Sequence, residues 1–218
     1  MMETKIIKEI YQNYRSCLPL SKYIHSKLRI QIGVPFDEYI NIVPREGKIL
    51  SLGCGLGFLE YYLARDSDSR YILATDNDKS RISIAKNAAR HLNNIDFKYL
   101  NVQNIDELKE DGIWDAVIVN DLLHHVSYSL QEKTIINSSR LLKEDGVLII
   151  KDVDARPDLF RFCNTLNDKL LNGLKHVYYR REDGYRDLLK KSMLRSISIK
   201  YFMTFPFKNV MILAKHGK

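Results

Sequence analysis

Between Lys48 and Lys151 the chain alternates short β-rich runs with helical stretches, and that alternation constrains its fold more than any other feature. The runs Lys48 to Leu52, Tyr71 to Thr75, Phe97 to Leu100, Trp114 to Val119 and Val147 to Lys151 have strand-like length and aliphatic or aromatic content. Helical patterns cover Leu59 to Arg65, Ser80 to Leu92 and about Ser129 to Leu142. Strands joined through helices run parallel, and the helices cover both faces of the sheet. Ligands in such sheets bind beyond the carboxyl ends of the strands. Two later runs, Ile197 to Met203 and Asn209 to Ala214, are joined by a few residues around Pro206. That link is too short for a parallel crossover and predicts an antiparallel hairpin.

Composition narrows the class. With 218 residues, 45% of them hydrophobic and 28% charged, the chain supports one well-buried domain and excludes a disordered tail or a coiled coil. Its longest aliphatic run, Val147 to Ile150, is far below the roughly 20 residues of a membrane span, and Met1-Met2-Glu3-Thr4-Lys5 does not resemble a signal peptide. The expected location is the cytoplasm, without membrane insertion. Cys17, Cys54 and Cys163 form no CxxC pair, so reduced thiols are expected. The net charge of +7 is uneven, since residues 151–218 hold 15 Lys and Arg against 7 Asp and Glu. That excess suits either an anionic partner or a solvated face.

The expected layout is a single domain over 1–218. It comprises N-terminal helices in 1–44, a cofactor-binding core over 45–153, a substrate lid over 155–180, and a closing helix and hairpin over 182–218. Apolar positions at helical spacing within residues 2–29, interrupted near Pro19, predict two short N-terminal helices.

The strongest local motif is Leu50-Ser51-Leu52-Gly53-Cys54-Gly55-Leu56-Gly57-Phe58, a strand running into three alternating glycines and then a helix. Bare backbone there allows close approach of a ligand. A dinucleotide fingerprint would need its third glycine where Phe58 stands, and a phosphate-binding P-loop needs a Gly-Lys-Ser/Thr that is missing. Asp76 ends the second strand 19 residues beyond Gly57, where a carboxylate can accept from both hydroxyls of a ribose. Asp78 fits the cap of the next helix better.

These segments, with Trp114 to Val126 and Arg140 to Ile150 in the same order, resemble the class I S-adenosylmethionine-dependent methyltransferases across about residues 45–153. The resemblance implies a Rossmann-like three-layer α/β sandwich, with a mainly parallel seven-stranded sheet and an antiparallel C-terminal strand. It implies S-adenosyl-L-methionine as cofactor and S-adenosyl-L-homocysteine as product. The implied cofactor contacts are Ser51, Gly53, Cys54, Gly55, Gly57, Asp76, Asn77, Gln103, Asn104 and Asn120. Two positions depart from the family pattern. Ser51 stands where an acidic residue is usual, and Gln103 and Asn104 stand where an Asp is usual. Neutral acceptors at these sites are roughly half as strong as charged ones.

His124 and His125 follow the fourth strand and are the candidate catalytic bases. No Asn/Asp-Pro-Pro-Tyr/Phe motif follows that strand, and no cysteine is placed for pyrimidine carbon-5 methylation. The sequence therefore favours a small organic, lipid-like or carrier-bound acceptor and O-methylation. The alternatives are RNA methylation through the basic C-terminal third and cofactor binding without turnover. Tyr11, Tyr14, Tyr178, Tyr179, Arg180 and Arg181 are the candidate acceptor contacts. No metal is expected, because Asp152 and Asp154 lack further obvious ligands.

Overall fold

Ile49, Leu50 and Leu52 are all buried in β1 (Gly47–Leu52). Successive strand residues face opposite ways, so burial of both Ile49 and Leu50 means that both faces of this strand are covered. A computed structural model describes residues 2–108, 112–154, 177–204 and 207–217. It divides into two compact units, Met1–Asn101 and Val102–Lys218.

In the first unit β1 pairs in parallel with β2 (Arg70–Asp76), and β2 with β3 (Ile95–Tyr99). Leu52 lies opposite Thr75. The glycine loop after β1 and the carboxylate of Asp76 thus leave the same edge of this parallel segment. Three helices precede the strands: α1 (Met2–Arg15), α2 (Leu20–Gly33) and α3 (Phe36–Ile42). The periodicity of residues 2–29 anticipates the first two. The third went unanticipated, although Pro35 at its N-cap with Asp37 and Glu38 in its first turn is a standard helix-start pattern.

These N-terminal helices change the fate of α4 (Phe58–Asp66). The Tyr14 ring packs 4.6 Å from that of Phe58, and Phe36 stacks on Tyr62 at 4.4 Å. Every residue from Phe58 to Ala64 is consequently buried, Glu60 included. Beside it the buried Arg70 guanidinium donates to the Asp66 carboxylate at 2.7 Å and to the Pro44, Leu63 and Val43 carbonyls. A buried cation with this many acceptors is well compensated.

Asp78 caps α5 (Lys79–Ala88) as expected, its Oδ1 accepting from the backbone N–H groups of Ser80 at 2.8 Å and Arg81 at 3.1 Å. Asp78→Ala is expected to cost about 1 kcal/mol. A urea unfolding titration checks this, and an unchanged midpoint would show that the cap contributes nothing. The helix ends at Ala88, short of the expected Leu92, because a turn closes there with Leu92 N–H donating to Ala89 O at 2.9 Å.

In the second unit β4 (Trp114–Asn120) and β5 (Leu142–Val153) are parallel, with α6 (Tyr128–Leu141) between them in sequence. After α7 (Glu182–Lys191), β6 (Leu194–Thr204) and β7 (Phe207–His216) form the expected antiparallel hairpin. β7 also pairs antiparallel with β5. The strand order is 3-2-1 in the first unit and 4-5-7-6 in the second, so β7 is the antiparallel strand. Residues 155–176 of the expected lid lie outside the described residues. Among the described residues no helix is long and apolar enough to cross a membrane.

Candidate active site

In the first unit the loop after β1 is shaped by three left-handed glycines, Gly53 (φ 77°), Gly55 (φ 58°) and Gly57 (φ 75°). They serve different ends. A side chain on Gly55 would meet no atom within 4 Å, so its backbone borders open space where a ligand can approach. A Cβ on Gly57 would fall 2.4 Å from the Phe97 ring, so glycine there answers a packing demand. The N–H groups of Gly53 and Cys54 both donate to Thr75 O, at 2.8 and 2.9 Å, which clamps the start of the loop to β2. Burial pushes the Cys54 thiol well above its usual pKa.

Asp76 completes this arrangement. Its Oδ2 accepts from Gly55 N–H at 2.8 Å and its Oδ1 from Asp78 N–H at 2.9 Å. A carboxylate has about four acceptor positions, so each oxygen keeps a second one for a ribose hydroxyl. Asn77, next to it, is exposed.

Tyr14 requires a correction. It is fully buried, and its hydroxyl donates to the Leu56 carbonyl at 2.6 Å. It holds the glycine loop from behind and is not placed to touch an acceptor. Tyr11 is half-buried and lines a cavity of about 410 Å³ with Ile7, Ile30 and Phe36. The Lys27 ammonium lies 5.3 Å from its ring centre.

Ser51 is buried and does not stand alone. Its hydroxyl donates to Glu60 Oε1 at 2.6 Å. Burial, acting against that hydrogen bond, pushes the Glu60 carboxyl up to about 7.

In the second unit the His124 and His125 rings pack 3.9 Å apart but differ in burial. His125 is exposed, whereas His124 is buried and its Nδ1 hydrogen-bonds to Asp152 Oδ1. The other Asp152 oxygen accepts from the His124 backbone N–H at 3.1 Å. Val153 N–H and the Tyr185 hydroxyl also donate to Asp152. With donors on every side Asp152 acts purely as an acceptor, so Nδ1 carries the histidine proton. The lone pair of neutral His124 is then on Nε2. Burial first, and the Asp152 carboxylate second, push the Tyr185 hydroxyl well above its usual pKa, which keeps it a donor.

The expected acceptor contacts also separate. Tyr179 stacks on His124 with ring centres 5.8 Å apart, and Tyr178 N–H donates to the His124 carbonyl at 2.9 Å. Arg180 turns to α6. Its guanidinium bonds to Gln131 Oε1 and lies over the Tyr128 ring at 4.9 Å, while Gln131 Nε2 donates to the Leu123 and Tyr178 carbonyls at 2.8 Å. It therefore latches this segment onto α6. Arg181 is exposed at the start of α7.

Asn120 ends β4 opposite Lys151. Asp121 follows in the left-handed region (φ 50°) and accepts from the buried Lys151 ammonium at 2.6 Å. Gln103 and Asn104 are exposed on a short 3₁₀ helix, Val102–Glu107, where Asn104 Nδ2 donates to Glu107 Oε1 at 2.9 Å.

The sequence model of a family described as "Methyltransferase domain" matches residues 45–191. The chain belongs to the S-adenosylmethionine-dependent methyltransferases. Within this family it is 32% identical over 107 residues to a ubiquinone biosynthesis O-methyltransferase of Rickettsia akari (strain Hartford). That match covers 49% of this chain and 40% of the relative, so the chain spans less than half the length of that protein. It is 24% identical over 192 residues to the carboxy-S-adenosyl-L-methionine synthase of Nautilia profundicola, covering 85% of this chain and 75% of the other. Among solved structures, the PH0226 protein of Pyrococcus horikoshii OT3 superposes with a TM-score of 0.70 at 17% identity, covering 88% of this chain and 92% of that one. The geranyl diphosphate C-methyltransferase of Streptomyces coelicolor A3(2) does so with a TM-score of 0.71 at 13% identity, covering 90% and 84%. These likenesses show the shared Rossmann-like methyltransferase fold.

The residues present fit the family's cofactor. Gly55 backs onto open space, Asp76 keeps acceptor positions for a ribose, and a buried Glu60 oxygen has no partner among the described residues. Asp152, Tyr185 and Glu60 were not among the sequence candidates. Lys151 and Asp152 had a visible signal, two charges directly after the aliphatic run Val147 to Ile150. Glu60 and Tyr185 had none.

Proposed function

We propose that this chain transfers a methyl group from S-adenosylmethionine to an oxygen of a small organic or lipid-like acceptor. The observation that carries the reading is the buried His124–Asp152 pair. A hydroxyl must lose its proton as its oxygen becomes methylated, and a neutral imidazole with its lone pair on Nε2 is suited to take it. Bound S-adenosylmethionine supplies an electrophilic methyl group and leaves as S-adenosylhomocysteine. Asp152 fixes the tautomer and ring orientation of His124 and stabilises the imidazolium formed when the proton arrives. Tyr185 holds Asp152 in turn, and Tyr179 covers the imidazole face. Asp76 with the glycine loop and Asn77 holds the cofactor through its ribose.

The similarity to ubiquinone biosynthesis O-methyltransferases supports the choice of oxygen, within the half of the chain that it covers. Incubating the purified chain with methyl-labelled S-adenosylmethionine and a panel of simple catechols and phenolic acids tests the acceptor class, with bulk RNA in parallel. Label is expected on phenolic oxygen. Label on RNA alone would overturn the reading.

A further inference from the structure

Glu60 is an acid that the fold encloses without completing. Its Oε1 accepts from the Ser51 hydroxyl, and its Oε2 is buried with no hydrogen-bond partner among the described residues. The groups that face the carboxyl are Ser51 from β1, Tyr14 from α1, Cys54 from the glycine loop and Asp76 from β2. All are neutral or acidic, and the Glu60 carboxyl has no Lys, Arg or His among them. A carboxyl so placed lacks a counter-charge, and in a low-dielectric interior an approaching cation is attracted strongly.

We propose that Glu60 is the counter-charge for the ammonium end of S-adenosylmethionine and S-adenosylhomocysteine. It acts from beneath the glycine loop, through Ser51 and through space. This rests on the reading that the chain binds that cofactor. The ammonium is the cation both cofactor forms share, whereas only the methyl donor carries a sulfonium. Glu60 is therefore a positioning residue. Near neutrality part of the population holds a proton on Glu60. Arrival of the ammonium favours the ionised form, so that proton passes to solvent and binding tightens as pH rises.

Calorimetric titration of the full chain with S-adenosylhomocysteine, in two buffers of different ionisation enthalpy, tests this. Affinity is expected to rise about tenfold between about pH 6 and pH 8, with proton release at the lower end. Glu60→Gln should flatten the profile and weaken binding about tenfold at the upper end. It should leave 5′-methylthioadenosine, which lacks the ammonium, unaffected. Ser51→Ala, which removes the hydrogen bond favouring the ionised carboxyl, should move the midpoint to higher pH. A flat wild-type profile, or a Glu60→Gln variant that keeps the slope, overturns the inference while the cofactor reading stands. Equal loss of 5′-methylthioadenosine binding in Glu60→Gln also overturns it, since the variant would then have disturbed the loop itself. Absence of S-adenosylhomocysteine binding at every pH would overturn the cofactor reading and this inference together.

Discussion

Replacing His124 with alanine is expected to lower methyl transfer by about 10²- to 10⁴-fold while S-adenosylhomocysteine affinity changes by less than about twofold. The split follows from what each group touches. In the proposed site His124, fixed through Nδ1 by Asp152, serves the proton, while the glycine loop and Asp76 hold the cofactor. Asp152→Asn is the sharper companion. An amide at this position can present an N–H to Nδ1, which favours the tautomer with its proton on Nε2 and so removes the base. Its rate should fall toward that of His124→Ala with the fold intact. His125→Ala should lower the rate far less than His124→Ala, because His125 is exposed and only packs on the His124 ring, 3.9 Å away, while the buried Asp152 contact belongs to His124. Steady-state and single-turnover rates separate the cases. Equal losses in both histidine variants would overturn the assignment of the base.

The second large effect concerns Asp76. Losing a charge-assisted contact to a ribose costs about 1.5–3 kcal/mol, so Asp76→Ala should weaken S-adenosylmethionine and S-adenosylhomocysteine roughly 10- to 150-fold. Because Asp76 also accepts from the Gly55 and Asp78 N–H groups, alanine removes a support of the loop together with the ribose acceptor. Asp76→Asn separates these contributions. It retains one carbonyl oxygen and most of the shape, so it should keep part of the affinity. A ribose-free ligand such as adenine should lose much less in either variant. An unchanged dissociation constant in Asp76→Ala would remove this residue from the site.

What could be read from residues alone was whatever local pattern determines. The parallel segments, the closing hairpin, the Asp78 cap and the pairing of the glycine loop with Asp76 are short-range consequences of spacing, loop length and turn chemistry. The errors concern side chains whose roles depend on distant packing. Tyr14 at helical spacing looks the same whether it faces an acceptor or the core, and only its hydrogen bond to Leu56 decides the matter. Nor does a basic aromatic cluster in the sequence show that Gln131 takes part of the Arg180 guanidinium. Glu60 reads as an ordinary polar residue of an amphipathic helix. It becomes a buried acid because α1 and α3 cover α4, a contact between segments more than twenty residues apart. The Ser51 departure from the family pattern likewise gains meaning only when Ser51 is seen to donate to that carboxylate.

The central claim is turnover on a small acceptor through the Asp76 cofactor site. Its most direct test is transfer of a radiolabelled methyl group from S-adenosylmethionine into host-cell extract by the full chain, with Asp76→Ala as control. The organic-soluble, RNA and protein fractions are counted separately. Enzyme-dependent label is expected in the organic-soluble fraction and should be strongly reduced in the variant at limiting cofactor. Label confined to RNA or protein, or label that persists undiminished in Asp76→Ala, would contradict the account.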